Sequence, residues 1–154
     1  MDDPTIFYDE NYRRFPANTR DKFYRLAAAL ASENKKEKAI EVIDYCFKVM
    51  PDEAVPYDAT ISSFVELMIQ LGEKEKAFAI IDKMSDRYIS SLDYYAKNDV
   101  SGMFVEPDIR LALYGLSRFT NFASAEKNEE LINKIQPEFK RFTENTRIRK
   151  MIGM

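Results

Sequence analysis

One short segment of the chain is repeated 38 residues further on. Residues 34–39 (Asn-Lys-Lys-Glu-Lys-Ala) recur as residues 72–77 (Gly-Glu-Lys-Glu-Lys-Ala), and Ile43-Asp44 recurs as Ile81-Asp82. Internal repetition at such a period is typical of stacked helical hairpins, in which each repeat is a pair of antiparallel helices. The repeat therefore constrains the fold more than any other feature of the sequence.

Apolar residues recur at three- and four-residue steps along most of the chain, which indicates helices with one buried face each. The first repeat shows two such stripes, formed by Phe23, Leu26, Ala27 and Leu30 and then by Ala39, Ile43, Cys46, Phe47 and Met50. The second repeat also shows two, formed by Ile61, Phe64, Val65 and Met68 and then by Ala77, Ile81, Met84, Tyr88, Leu92 and Tyr95. Gly72 is predicted to close the third helix in the left-handed conformation.

A third pair of helices is less regular than the first two. Pro107 fits the first turn of one helix, and Pro137 predicts a kink or a break in the last. We therefore expect an all-α, right-handed solenoid of helical hairpins, about six helices in all, with no sheet. Its repeat units are residues 20–51, 58–98 and a degenerate 106–145 within a helical domain of residues 19–154.

Residues 1–18 contain Pro4 and Pro16 and show no lasting period. They are predicted to form an extended arm, and the first helix is expected to be capped by Asn18 or Thr19. The arm carries too many aromatic residues for a free tail, so we expect it to pack against the first helices through Phe7, Tyr8, Tyr12 and Phe15.

The composition excludes several classes of function. The chain has no histidine and one cysteine, so it lacks the commonest general base, the commonest zinc ligand and any internal disulfide. Its four glycines are far apart, which excludes a glycine-rich phosphate-binding loop. A net charge of −3 and a pI of about 5.2 argue against a nucleic-acid partner. No cofactor or metal is expected, and Cys46 is interpreted as a small buried apolar residue.

The sequence contains no run of 18 apolar residues, so no membrane span is expected. The opening Met1-Asp2-Asp3-Pro4 lacks the basic start and apolar run of a signal peptide. We therefore expect a soluble domain. If the natural protein is exported or anchored, the responsible segment lies outside these residues.

The spacing of the first repeat resembles the tetratricopeptide pattern, with Phe23, Leu26, Ala27, Leu30, Ala39, Ile43 and Pro51 in register. In this resemblance Ala39 and Ala77 lie where the two helices of a hairpin cross most closely. The repeat is longer than the usual 34 residues because residues 52–57 are inserted between units. Tetratricopeptide domains that grip peptide C-termini carry Lys and Asn at the positions held here by Tyr24 and Ala28, so that activity is not expected.

Several longer phrases resemble the C-terminal region of a bacterial domain-of-unknown-function family. The phrases are residues 7–14 (Phe-Tyr-Asp-Glu-Asn-Tyr-Arg-Arg), 23–27 (Phe-Tyr-Arg-Leu-Ala), 38–44 (Lys-Ala-Ile-Glu-Val-Ile-Asp) and 55–58 (Val-Pro-Tyr-Asp). Members of that family are polytopic membrane proteins similar to protein O-mannosyltransferase-type glycosyltransferases. The resemblance implies a domain on the periplasmic side, tethered to the inner membrane, with any transferase chemistry in the membrane part and no catalytic residue here.

Three residues are nominated for contact with a protein or peptide partner, because they fall on the predicted inner face: Tyr24, Glu66 and Gln70. Tyr88 and Tyr95 lie on a packing stripe and are expected in the core. The neighbouring carboxylates Asp9-Glu10, Asp52-Glu53 and Glu129-Glu130 are interpreted as solvated surface, since residues one apart on a helix point in different directions.

The C-terminal stretch places basic residues beside apolar ones. The basic residues are Lys140, Arg141, Arg147, Arg149 and Lys150, and the apolar ones are Phe142, Ile148, Met151 and Ile152. Positive charge is favourable at a helix C-terminus and explains much of this pattern. Weak contact with an anionic membrane surface is the alternative.

The leading prediction of function is a non-catalytic accessory domain of a glycosyltransferase-like membrane protein. Such a domain would contact an acceptor protein or the membrane part of its own parent chain. The alternative is a stand-alone adaptor of tetratricopeptide type that binds a peptide in its groove. An enzyme is a third, less favoured alternative, because no catalytic motif is present.

Overall fold

The computed structural model describes residues 10–98, 100, 102 and 104–153, with side chains from residue 18 onward. Within these ranges the chain forms seven α-helices and no β-strand, so the all-α prediction is confirmed. The helices are α1 (Glu10–Ser32), α2 (Lys36–Val49), α3 (Ile61–Gln70), α4 (Lys74–Lys97), α5 (Val105–Ala125), α6 (Glu129–Glu144) and α7 (Thr146–Met151). They divide between an N-terminal unit, residues 1–77, and a C-terminal unit, residues 78–154.

Helix α1 begins earlier than the sequence predicts. The sequence predicts an extended arm that includes residues 10–18, but these residues form the first turns of α1. Glutamate and arginine have high helix propensity, and Pro16 removes only one backbone hydrogen bond from a helix of 23 residues. The rest of the arm, residues 1–9, lies outside the described residues, as do the side chains of Tyr12 and Phe15.

In the N-terminal unit α1 packs against α2 and α3. Ala27, Ala39, Ile43 and Cys46 are almost fully buried there, and the four apolar positions predicted for α3 are all buried. Leu26 does not follow its prediction, because half of it is exposed. Residues seven apart lie on one helix face, and the buried face of α1 runs through Arg20 and Ala27 rather than through Leu26.

The repeated segment forms the same turn twice. Asn34 and Gly72 both have positive φ, 59° and 84°, in the left-handed region that the sequence predicts for Gly72. In both copies the backbone amide of the next residue donates a hydrogen bond to a carbonyl of the preceding helix. Lys35 donates to Leu30 at 2.9 Å, and Glu73 donates to Met68 at 2.8 Å. These bonds satisfy carbonyls that a helix end otherwise leaves free.

The two copies of the repeated aspartate also form equivalent ion pairs. In the N-terminal unit Lys76 donates to Asp44 at 2.9 Å, and in the C-terminal unit Lys134 donates to Asp82 at 2.5 Å. In each case a lysine from a later helix binds an aspartate on the second helix of a repeat. Such exposed pairs stabilise by at most about 1 kcal/mol.

In the C-terminal unit α5 packs against α6 and α7. Tyr88 of α4 stacks on Phe119 of α5, with ring centroids 6.0 Å apart. Helix α6 continues through Pro137, so the alternative of a break is wrong. Buried Leu131, Ile135 and Phe142 lie on both sides of Pro137 and hold the helix in place.

Helix α7 is additional to the six helices expected from the sequence. The side chain of Asn145 caps it by accepting from the amide of Ile148 at 3.0 Å. Ile148 of this helix and Ile152, its C-cap, are buried, and Arg110 of α5 donates to the carbonyl of Ile152 at 2.6 Å. Helix α7 therefore covers part of the core beside α5 and α6.

Candidate functional site

The three residues nominated from the sequence line a single cavity in the N-terminal unit. Tyr24 lies on α1, and Glu66 and Gln70 lie on α3. The cavity has a volume of about 350 Å³. Its lining is completed by Ala28, Ala31, Ser32, Leu67 and Leu71, and we refer to it as the Tyr24 pocket.

Small residues on α1 keep this pocket open. Tyr24, Ala28 and Ala31 follow one another at four- and three-residue spacing, so they share a face of the helix. On the opposite wall Leu67 and Leu71 are buried. Because two alanines face two leucines, the space that larger side chains would fill is empty. Sequence reasoning nominated the polar lining but missed these apolar walls.

The ring of Tyr24 is held in place by an aromatic contact. It meets the ring of Phe64 edge-on, with centroids 5.6 Å apart, and Phe64 is fully buried. Such edge-to-face pairs stabilise by about 0.5–1.5 kcal/mol beyond the area they bury. Tyr24 itself is half-buried, so it presents a fixed aromatic wall to the pocket.

The polar residues that line the pocket differ in their exposure to solvent. Glu66 is half-buried, whereas Gln70 and Ser32 are exposed. The hydroxyl of Ser32 donates to the carbonyl of Ala29 at 2.7 Å. The lining thus combines one carboxylate, one amide and two hydroxyl-bearing residues, Ser32 and Tyr24, with apolar side chains, which is the mixture found in ligand-binding sites.

A buried arginine braces the two helices that carry the pocket. Arg20 lies one turn before Tyr24 and is fully buried. Its guanidinium donates to the carbonyls of Val55 at 2.7 Å and Pro56 at 3.1 Å. It also pairs with Asp58 at 3.3 Å. Arg20 therefore fastens α1 to the loop between α2 and α3.

Asp58 connects Arg20 to the start of α3. Its other carboxylate oxygen accepts from the amide of Thr60 at 2.8 Å and from the Thr60 hydroxyl at 2.6 Å, immediately before α3 begins. The series of polar contacts from Arg20 through Asp58 to Thr60 sets the position of α3 against α1. Sequence reasoning missed Arg20, although its place on the same face as Ala27 was a signal.

One of the carboxylate pairs is not the solvated surface that the sequence suggests. Asp52 is buried, and its side chain accepts from the amide of Tyr57 at 2.7 Å. It therefore organises the loop before α3, because a short loop has few other acceptors for its amides. Glu53, Glu129 and Glu130 are exposed as predicted. Asp9 and the side chain of Glu10 lie outside the described residues.

The tyrosines of α4 have different surroundings. Tyr88 is buried as predicted, whereas Tyr94 is 55% exposed. Tyr95 is half-buried, and its hydroxyl donates to Asp108 at 3.1 Å. Burial, together with this hydrogen bond, raises the pKa of Tyr95. Tyr95 therefore belongs to the packing between α4 and α5 rather than to an open site.

The C-terminal basic stretch separates into exposed charges and buried apolar residues. Arg147, Arg149 and Lys150 are exposed, whereas Ile148 and Ile152 are buried. Three of the four apolar residues of this stretch, Phe142, Ile148 and Ile152, are therefore held in the core, and Met151 is half-buried. Membrane-surface contact stays a prediction and would depend mainly on charge.

Cys46 is fully buried in the N-terminal unit. Burial raises the pKa of its thiol to about 11. A thiol that stays protonated is a poor nucleophile, which agrees with the interpretation of Cys46 as a packing residue. Among the described residues, no three histidine, cysteine, aspartate or glutamate side chains are grouped as metal ligands would be.

Comparison of the chain with protein-family models, curated proteins and solved structures finds no match. None of the helices in the described ranges has an apolar stretch long enough to cross a bilayer.

Proposed function

We propose that this chain is a non-catalytic helical domain that contacts a protein segment through the Tyr24 pocket. One observation carries the proposal. Tyr24, Glu66 and Gln70, which the sequence places on a contact face, line one open cavity between α1 and α3. The residues that form it come from two helices braced by Arg20 and Asp58, so the pocket keeps its shape without a partner.

The size of the pocket favours a side chain of a larger partner. Sites for small molecules are typically about 300–1,000 Å³ and bury most of the ligand. The Tyr24 pocket, at about 350 Å³, is at the lower end of that range. Fixed aromatic rings are frequent anchors of protein interfaces because they lose little conformational freedom on binding. Tyr24 has this character.

We further propose a tetratricopeptide-like, right-handed arrangement of the helical hairpins. The repeated turns at Asn34 and Gly72 support it, and so do the ion pairs of Asp44 and Asp82. Ala39 and Ala77, which that arrangement needs at close helix crossings, are fully buried.

The phrase resemblances support a parent protein of the glycosyltransferase-like membrane family. In that setting the domain lies on the periplasmic side, tethered to the inner membrane, and holds an acceptor protein or steadies the membrane part. A stand-alone peptide-binding adaptor is the alternative. The two differ in one observation, namely whether the natural reading frame continues upstream of Met1 into apolar spans.

Site-specific photo-cross-linking in the native host tests the contact site. A benzophenone amino acid is placed at Ala28, inside the pocket, or at Ala29, which is the next residue and is exposed outside it. We expect one dominant cross-linked protein from position 28 that is weak or missing from position 29. Identical cross-links from both positions, or none from position 28, would contradict the proposal.

A further inference from the structure

The first hairpin exposes apolar side chains from both of its helices. Leu26 of α1 is 50% exposed, and Tyr45 of α2 is 57% exposed. Phe23 is half-buried and lies three residues before Leu26, on the same side of α1, and its ring centroid is 5.9 Å from that of Tyr45. We refer to Phe23, Leu26 and Tyr45 as the outer patch. Because Leu26 follows Tyr24 by two residues, the two side chains leave α1 about 200° apart, so the outer patch is separate from the Tyr24 pocket.

The second repeat covers the positions that correspond to the outer patch on α1. At the repeat distance of 38 residues, Phe23 and Leu26 correspond to Ile61 and Phe64 of α3. Both of these are fully buried, and the ring of Phe64 meets Tyr24 of the preceding hairpin at 5.6 Å. No hairpin precedes α1 within the described residues, so the same positions of the first repeat are open to another helix.

Tyr45 is also unusual for a residue on a face that stays in water. In helical-repeat proteins the end of the stack has a polar outer face, which keeps the protein soluble. The residue that corresponds to Tyr45 in the second repeat is Lys83, an exposed lysine. An exposed tyrosine beside Phe23 and Leu26 therefore indicates a contact surface.

The charges beside the outer patch indicate which partner it fits. On α2 Glu41 lies one turn before Tyr45 and Lys48 lies one turn after it, so the three residues share one side of the helix. Glu41 and Lys48 are both exposed, and neither forms an ion pair within the part of the chain that the structure describes. When two α2 helices pack antiparallel about a twofold axis at Tyr45, each Glu41 lies opposite Lys48 of the other copy. This face is therefore complementary to itself.

We propose that the chain forms a symmetric dimer in which the outer patches of two copies pack against each other. The three apolar side chains of each copy form the centre of the interface, and two Glu41–Lys48 pairs form its polar rim, as is usual for protein interfaces. Since each copy contributes few apolar side chains, the dimer is weak and dissociates on dilution. The Tyr24 pocket lies on another side of α1, so the inference is independent of the proposed function.

Sedimentation equilibrium of the whole chain tests the dimer. The mass of the wild type should rise from 18.0 kDa towards twice that value as its concentration increases from about 1 μM to about 500 μM. Tyr45→Ser should weaken association about tenfold or more, because it removes the ring at the centre of the interface. Tyr94→Ser is the matched control, since it removes a ring of similar exposure from α4, and it should associate like the wild type.

Charge reversal tests the symmetry of the dimer. Glu41→Lys places two lysines opposite each other, and Lys48→Glu places two carboxylates opposite each other. Each variant alone should therefore associate about tenfold or more weakly than the wild type. An equimolar mixture of the two variants restores both pairs of opposite charge and should associate like the wild type. Glu75→Lys is the control for net charge, because Glu75 is an exposed carboxylate on α4, and it should have no effect.

Three results would overturn the proposal. A wild type that remains at 18.0 kDa over the whole range would show that the outer patch serves a different partner. A dimer that is unaffected by Tyr45→Ser would use another face. A mixture of the two charge variants that associates no more tightly than either variant alone would exclude the twofold pairing of Glu41 with Lys48. None of these results bears on the Tyr24 pocket, which the cross-linking experiment tests.

Discussion

We predict that position 115 must be glycine, because the ring of Tyr88 leaves no room for a larger residue there. A β-carbon on Gly115 would lie 2.2 Å from Cε2 of Tyr88, 2.9 Å from Cδ2 and 3.0 Å from Cζ. Carbon atoms in contact are normally about 3.5–4.0 Å apart. Because Tyr88 is buried and stacked on Phe119, moving its ring away from residue 115 would disturb that packing.

Two opposing terms set the size of the effect of Gly115→Ala. Alanine is better than glycine in a helix interior by about 1 kcal/mol. Forcing extra volume into a packed core costs about 1–3 kcal/mol, and a 2.2 Å approach is at the upper end of that range. The variant should therefore be less stable by about 2 kcal/mol, which corresponds to a fall in Tm of roughly 4–8 °C for a chain of this size.

A double-mutant cycle, measured by urea unfolding with far-ultraviolet circular dichroism, tests the assignment. In a Tyr88→Ala background all three clashing ring atoms are gone, so Gly115→Ala should become neutral or stabilising by up to about 1 kcal/mol. Tyr88→Phe is the matched control, since it keeps every clashing atom and should keep the penalty. A Gly115→Ala variant that is stabilised in the wild-type background, or equally destabilised in all three, would refute the reasoning.

Three further predictions concern other buried groups. Arg20→Met should lower the free energy of unfolding by about 3 kcal/mol in urea unfolding, because it strands the carbonyls of the loop before α3 and removes the ionic partner of Asp58; a loss below 1 kcal/mol would contradict the brace. Ser85→Ala should be neutral or stabilising by up to about 1 kcal/mol in thermal unfolding, since the buried Ser85 hydroxyl has no hydrogen-bond partner among the described residues; a clear loss would show that it has one. The pKa of the Cys46 thiol is raised to about 11 in the folded protein, above the ordinary thiol value of about 8.5. The contribution of this group to stability is therefore complete below about pH 8.5 and is lost as the pH rises towards 11. From pH 8 to pH 10 the wild type should therefore lose more stability than Cys46→Ala, and parallel pH profiles would disprove it.

Local signals were sufficient for most of the helices. Apolar spacing predicted the buried positions of α3 and most of those of α4, and the left-handed turn at Gly72 followed from its place after a helical stripe. These features depend on residues within a few turns of one another, so one sequence is enough to predict them.

The errors arose where distant residues decide the outcome. Arg20 is buried because carbonyls and a carboxylate 30 or more residues away surround its guanidinium, and no local period encodes that. Gly115 is fixed by a ring on the preceding helix. The early start of α1 was not predicted, because Pro16 outweighs the helical residues around it in a local pattern. Pro137 suggested a kink or a break in the last helix, and of these the break is wrong.

The candidate site could be predicted only in part. Tyr24, Glu66 and Gln70 were assigned to one face from the repeat register, and they do line one cavity. That the cavity is open depends on Ala28 and Ala31 facing Leu67 and Leu71, a combination that requires the pairing of α1 with α3.

The most direct test of the account is the affinity of the cross-linked partner for three forms of the chain. Titration calorimetry compares the wild type with Ala28→Phe, which fills the Tyr24 pocket, and with Ala29→Phe, which adds the same ring to the exposed neighbouring position. We expect Ala28→Phe to bind at least about tenfold more weakly, a loss of about 1.4 kcal/mol, and Ala29→Phe to bind like the wild type. Equal affinity of all three forms, with circular dichroism showing all of them folded, would contradict the claim that the pocket is the contact site.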